Sequence, residues 1–448
     1  MRIKTTIILA VVLLLLGTYL YFVEIPEEKN SEEAAKVFDL DEDRITQLRM
    51  KLGDEVTVCS KNNEGEWEIT KPLKAEANQA LVKVVLDNLQ NLEIKRVVED
   101  SPITLSPYGL DYPNAETTVV LDGVPEGLTL QIGWKSEIGD SLYVKRKDED
   151  RVLLVSYEMG KKTVINASDL REKRVVIFDM GRLQKMELSY PDRNILLAKQ
   201  QRDWQILEPV KARADDFEVS QLIYAITAMK IERFIDEPSD LGQYGLTHPG
   251  VRVTLEVEEE EAKPVILLGK QEKDSELAYA KREGKHPVYL VKSYIVNDLT
   301  RETNQLRDKK LFKFDKTDVT KIEIKHGKDT ITLNRDPQRE WRIAEAGNVK
   351  AIKGEIDELL SALEELEVTS FVDDNPQDLE AYGLDRPIFQ ESFWLGNDNK
   401  ETILVGKEDK SKKEQFVKKE SEPSVYLAKK GLLVRLMRKM NELREPEE

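Results

Sequence analysis

A spacing of 137 residues constrains this chain more than any other feature: it separates Trp67 from Trp204 and Trp204 from Trp341. The same apolar ladder follows each tryptophan. It reads Val82, Val85, Leu86, Leu89 and Leu92 in the first copy, and Val219, Leu222, Ile223, Ile226 and Met229 in the second. In the third it reads Ile356, Leu359, Leu360, Leu363 and Leu366. Steps of three, one, three and three put five side chains on one stripe of a helix. Three matched ladders at one period make the chain a triplicate, and its behaviour has to be argued from the repeated unit. A unit of this length can hold its own core, and it exceeds the ~20–50 residues of a solenoid repeat.

Other landmarks recur around the ladders. Each copy opens on a short apolar segment, aligned as Val37-Phe38-Asp39, Ile177-Phe178-Asp179 and Lys313-Phe314-Asp315. A strand-like segment comes next, clearest where apolar and polar residues alternate from Val319 to Lys325. Pro72 and Pro209 lie five residues past their tryptophan, where the third copy has Ala346. Beyond the ladder, Tyr108-Gly109-Leu110 matches Tyr244-Gly245-Leu246 and Tyr382-Gly383-Leu384. Pro102, Pro238 and Pro376 stand before these triplets, with Ser101 and Asn375 positioned as N-caps. The pattern reads as a short capped helix that starts at the proline and ends with the glycine in a left-handed C′ position. Paired strands complete each copy: Thr117–Leu121 with Leu128–Gly133, Val251–Val257 with Pro264–Gly269, and Gln390–Leu395 with Thr402–Gly406. A last helix runs out at Leu170-Arg171, Leu306-Arg307 or Leu443-Arg444.

The start of the chain is different. Arg2 and Lys4 precede an uncharged run from Thr5 to Val23, and Tyr19, Tyr21 and Phe22 sit at its far end. As a helix these residues would span roughly 28 Å, the thickness of a bilayer's hydrocarbon core. No A-x-A-like cleavage site and no lipoprotein cysteine follow, so the run reads as an uncleaved anchor rather than a signal peptide. Basic residues before it and Glu24, Glu27 and Glu28 after it place the N-terminus in the cytoplasm and the body outside. The expected organisation is a transmembrane signal anchor at 1–23, an acidic tether at 24–36, and α+β repeat units at 37–174, 175–310 and 311–448. The fold class is thus α+β: one membrane helix followed by three tandem units with mostly antiparallel sheets.

Chemistry is sparse. The net charge of −17 disfavours nucleic acid as a partner. Cys59 is the single cysteine, so no intramolecular disulfide exists, and it reads as an inert buried thiol. None of His248, His286 and His326 repeats between copies; His248 falls where the others have Tyr112 and Arg386. That excludes a histidine site present in every unit. Asp39, Asp41 and Asp43 resemble the start of a calcium loop, but Arg44 stands where its glycine belongs and Met50 where its glutamate belongs. The tryptophans and the Tyr-Gly-Leu turns have core-anchor and backbone reasons to be conserved between copies, ahead of any role in stacking on a ligand. Glu258 to Glu261 reads as a solvated loop tip. Motifs for phosphate cradles, dinucleotides, zinc proteases, serine hydrolases and dithiol redox are absent. No catalytic, cofactor-binding or metal residue is assigned on this basis.

Trp-x-Ile with its proline, the ladder and Tyr-Gly-Leu-x-x-Pro, behind an N-terminal anchor, resemble the domain-of-unknown-function family numbered 4340. The resemblance covers residues 37 to 448 in repeated form. It implies a bacterial protein that accompanies gliding-motility-type ABC transport systems, with its body on the extracytoplasmic side of the inner membrane. It carries over no catalytic residues.

The resulting expectation is a non-enzymatic scaffold, held in the membrane through residues 5–23, with protein partners in a transporter or envelope complex. A module binding cell-wall or surface polymer through repeated sites is the alternative. A hydrolase with a carboxylate pair in one divergent unit is the third reading. The orientation is testable first. Alkaline phosphatase fused after Glu448 is expected to be active, and a fluorescent protein that matures only in the cytoplasm, fused at the same point, is expected to be dark.

Overall fold

The computed structural model describes residues 35–137, 139–260, 262–396 and 399–445. The anchor at 1–23 and nearly all of the tether lie outside the described residues. Among those that are described, no helix is long and apolar enough to cross a membrane. The chain divides into two compact units between Lys173 and Arg174, the first carrying one sheet and the second two.

Each repeat is one nine-stranded sheet in which every pairing is antiparallel. In the first, the strands are β1 (Ile45–Leu52), β2 (Glu55–Lys61), β3 (Trp67–Lys71), β4 (Ala75–Glu76), β5 (Arg96–Glu99), β6 (Ala115–Leu121), β7 (Val124–Lys135), β8 (Ser141–Arg146) and β9 (Val152–Ser156). Their order across the sheet is β4-β3-β2-β1-β6-β7-β8-β9-β5, and the other two sheets repeat it strand for strand. Helix is a minor component, so the units are more strongly β than the α+β expectation conveyed.

The order explains the ladder. The chain meanders outward from β1 to the β4 edge, and its next strand, β5, lies on the opposite edge. A helix connects the two: Gln79–Gln90, Asp216–Thr227 or Lys353–Glu364. All fifteen ladder side chains are buried, none more than 9 % exposed, and join the core of their own sheet. The last rung lies just beyond the helix. There the carbonyls of Leu92, Met229 and Leu366 accept hydrogen bonds of 2.8, 3.2 and 2.9 Å from the amides of Val37, Val175 and Leu311. These bonds correct the alignment of the opening segments. Val37 corresponds to Val175 and Leu311, two residues away from the register first read. Asp41, not Asp39, is then the counterpart of Asp179 and Asp315. Each of these three aspartates caps a 3₁₀ turn, accepting from the amide of Asp43, Gly181 or Thr317. The calcium-like run is thus a capped turn.

The opposite face of the sheet holds the Tyr-Gly-Leu turn. In the middle repeat Ile266 and Leu268 face the helix while Leu267, between them, packs with Leu246 and Val288 in a separate small cluster. The glycines have φ of 69°, 70° and 67°. Leu110, Leu246 and Leu384 donate back five residues, and the glycines donate back three, which is the Schellman pattern in all three copies. The helix before the glycine is only one 3₁₀ turn: Ser106–Tyr108, Leu241–Tyr244 or Glu380–Tyr382. Pro102, Pro238 and Pro376 lie outside it, so Ser101 and Asn375 do not cap it. At one equivalent position the side chains of Thr104, Asp240 and Asp378 accept from the amides two residues on, Ser106, Gly242 and Glu380. Lys71–Pro72 and Glu208–Pro209 are cis peptides, whereas the third copy turns through Gly347 and Asn348, both at positive φ.

A second glycine locks this turn to the sheet. Gly133, Gly269 and Gly406 lie where the ladder slips between Ile132 and Lys135, Leu268 and Gln271, and Val405 and Glu408. A Cβ at any of them would stand 2.2 Å from the carbonyl oxygen of Tyr108, Tyr244 or Tyr382. Only glycine lets the bulge receive that carbonyl. Gly269→Ala is therefore expected to destabilise the middle repeat by about 1–3 kcal/mol through overpacking against backbone, measured as an earlier urea transition. A wild-type transition would show that the turn is not seated on the bulge.

Candidate functional site

Residues prominent in the sequence turn out to serve the fold. Trp67, Trp204 and Trp341 are buried in the helix-side cores and offer no stacking platform. The amide of Trp67 donates to the Gln79 side chain and that of Trp204 to Asp216, which ties strand to helix. Tyr108, Tyr244 and Tyr382 pack against Tyr143, Tyr279 and Phe416 with ring centroids 5.1, 4.9 and 5.2 Å apart. Tyr108 and Tyr382 donate to Glu99 and Asp373, both at 2.9 Å. Burial pushes the Cys59 thiol up to about 12, which keeps it protonated and unreactive. Glu258 and Glu259 contact Gln184 and Arg182 at the sheet margin, as a loop tip should. Among the described residues no cluster of three or more His, Cys, Asp or Glu side chains is placed to hold a metal.

Three features remain that the common frame does not require. The first is the outer surface, which differs from repeat to repeat. On the solvent side of the middle ladder helix, Phe217 and Tyr224 are each 68 % exposed. The same positions hold Ala80 and Asp87 in the first repeat, and Gly354 and Ser361 in the third. Around the Tyr-Gly-Leu turn the first repeat exposes Ile103, Tyr112 and Trp134. The others carry Ser239, His248 and Lys270, or Gln377, Arg386 and Lys407.

The second is a cleft of about 290 Å³ within the compact unit Arg174–Glu448, where the chain passes from the second sheet to the third. The passage is pinned on both sides. The Asp308 amide donates to the Arg213 carbonyl at 3.0 Å, and the Val368 amide to the Lys309 carbonyl at 2.8 Å. Arg307, only 2 % exposed, lies against the face of Phe371 with its guanidinium carbon 3.9 Å from the ring centre. Its Nη1 pairs with Asp374 Oδ1 at 2.8 Å, and its Nε has no hydrogen-bond partner. Lys211, Arg213, Lys309 and Lys310 line the same cleft, against two carboxylates, Asp308 and Glu422. Burial first, then the neighbouring Glu422 charge, push the Tyr426 phenol at the rim up to about 12.

The third is Glu391, fully buried in the third sheet with neither carboxylate oxygen hydrogen-bonded. Thr117 and Val253 stand at its position in the other repeats. Desolvation raises its pKa well above the ordinary carboxylate value, which favours the neutral acid.

None of these residues was assigned a role from sequence. Two left a trace there. Arg307 belongs to the recurring Leu-Arg ending, and Arg-Asp-Lys-Lys is a basic pair in an acidic chain. Glu391 lies two residues from both Phe389 and Phe393, so strand alternation aims it inward with them.

Fold and surface together define a class: a tandem protein of three nine-stranded antiparallel sheets, each crossed by one helix, with its glycine-bulge turns shared and its surfaces individual. The chain belongs to the family described as "Domain of unknown function (DUF4340)", whose pattern matches residues 67–205, 204–340 and 341–447. No curated protein and no solved structure matches it.

Glu391 generates a measurable consequence. A carboxyl whose folded pKa is raised adds stability that is complete below its unfolded value of roughly 4.3. That stability is lost as pH rises from there through the folded value. Glu391→Leu is expected to stabilise the third repeat near neutral pH by about 1–3 kcal/mol. It should also flatten the decline of stability between acidic and neutral pH. Urea unfolding of both proteins at a series of pH values checks it, and an unchanged slope would place the carboxyl in contact with water.

Proposed function

We propose that this protein is a membrane-anchored, extracytoplasmic scaffold or accessory subunit that assembles with an ABC-type transporter or another envelope complex. In this reading residues 5–23 form the anchor, and the repeats span 37–174, 175–310 and 311–448. One observation carries the reading: the same core is built three times, yet each copy presents a different surface. Phe217 with Tyr224, and Ile103 with Tyr112 and Trp134, have no aromatic or large apolar counterparts in the sister repeats. Repeated binding of one polymer would call for three similar surfaces. Three dissimilar ones on a shared frame suit contacts with several different neighbours, and exposed aromatic side chains are the residues interfaces favour. Glu391 gives the hydrolase reading little support, because it is enclosed by apolar packing without a second carboxylate hydrogen-bonded to it.

Crosslinking in native membranes followed by mass spectrometry is expected to recover membrane-complex subunits. Phe217→Ser with Tyr224→Ser should lower the yield of one neighbour at least several-fold while leaving the unfolding transition in place. Recovery of the protein alone, with hydrolysis of a small substrate by the purified chain, would replace the scaffold by an enzyme.

A further inference from the structure

We infer that the cleft between the second and third sheets is a binding site for a phosphomonoester, held by Lys211, Arg213, Arg307, Lys309 and Lys310. Five cationic side chains share the cleft lining with two carboxylates, and a third carboxylate, Asp374, pairs with Arg307, which leaves a net of two positive charges at one concavity of a chain whose net charge is −17. The carboxylates are already committed. Asp308 accepts from the Lys310 amide at 2.9 Å and pairs with Arg213 at 3.4 Å. Glu422 accepts from Tyr426 at 3.0 Å and pairs with Lys419 at 3.2 Å. Among the described residues Lys211, Lys309 and Lys310 have no ion-pair partner. A solvated basic patch on an open surface would need no more comment. Here the cationic residues share the lining of one recess, and one of them, Arg307, is almost wholly buried with an unpaired Nε.

The lining also sets the chemistry of the ligand. Like charges held close repel one another, and a dianion bound among them converts that repulsion into attraction. Guanidinium and ammonium groups together provide many donors, which suits a phosphate with three oxygens to satisfy. A bare ion would leave the rest of the cleft unused. Ile206, Leu207, Leu311 and Val368 supply an apolar wall, and the volume is close to the lower end, ~300 Å³, of small-molecule pockets. An esterified phosphate carrying a small organic body fits both halves. The backbone that carries Asp308 and Lys309 is pinned to both sheets, so the passage lining the cleft is preformed.

The phosphate could belong to a soluble metabolite or to a lipid headgroup, and one titration separates them. The full chain, purified in a nonionic detergent, is titrated with glycerol 3-phosphate and, separately, with phosphatidic acid in mixed micelles. Saturable binding that weakens as salt is raised is expected. A variant with Lys211→Ala, Lys309→Ala and Lys310→Ala should bind at least tenfold more weakly. A control with Lys328→Ala, Lys353→Ala and Lys429→Ala has the same net charge and should bind like wild type. Saturation by glycerol 3-phosphate assigns a soluble ligand, and saturation by phosphatidic acid alone assigns a headgroup. Absence of saturation with either probe, or equal weakening in both triple variants, overturns the proposal. Matching unfolding transitions confirm that the variants are folded. The titration does not depend on the scaffold reading, which crosslinking tests separately.

Discussion

Everything in each repeat depends on one crossover. The strand order sends the chain from one edge of a nine-stranded sheet to the other, and the connection runs across one of its faces. A segment making that traverse must satisfy its own backbone hydrogen bonds and bury one face, which an amphipathic helix does. The ladder is the sequence expression of that demand. Its five rungs are invariant in spacing across the copies although they vary freely among Val, Leu, Ile and Met, because the helix needs apolar volume at fixed angles rather than particular side chains. With one sheet face sealed by the helix, the other is left for the Tyr-Gly-Leu turn, whose carbonyl enters the bulge at the second glycine. Helix and turn thus act from opposite sides on the same strands.

How much could be read beforehand follows from this division. Periodicity exposed the helices, the tandem repetition and the left-handed glycines, since each is a local rule with a short-range signature. Nine-stranded sheets were out of reach, because the pairing of β1 with β6 joins residues some seventy positions apart and no local pattern announces it. The opening segments were misaligned by two residues for a related reason. Phe-Asp recurs at a tempting place, but the hydrogen bond from Val37 to Leu92 sets the true register, and that bond is long-range. The helix expected at Pro102 failed because proline permits a helix start without requiring one. The cleft was invisible: its lysines are ordinary surface residues in sequence, and only the approach of the strand around Lys211 to the passage at Lys309 makes them a group.

Repetition has freed the surfaces to diverge. Since each core is closed by residues of its own copy, substitutions such as Ala80, Phe217 and Gly354 at one shared position leave the frame intact. Core positions are less free, and Glu391 marks the limit. A neutral acid where the sister repeats have threonine or valine is tolerated at a cost in stability.

The family-matched segments and the sheets keep the same period but different phase. Each of the first two matched segments runs from one tryptophan strand to the next, so it begins at the third strand of one sheet and ends after the first two strands of the following one. Excising residues 204–340 would therefore join Asp203 to Trp341 and let the first two strands of the second sheet complete the remainder of the third. A hybrid sheet with all nine strands would result, its seams in register. Proteins built this way can shorten or lengthen by whole sheets through recombination at the tryptophan, each exchange adding or removing one individual surface while leaving every core closed.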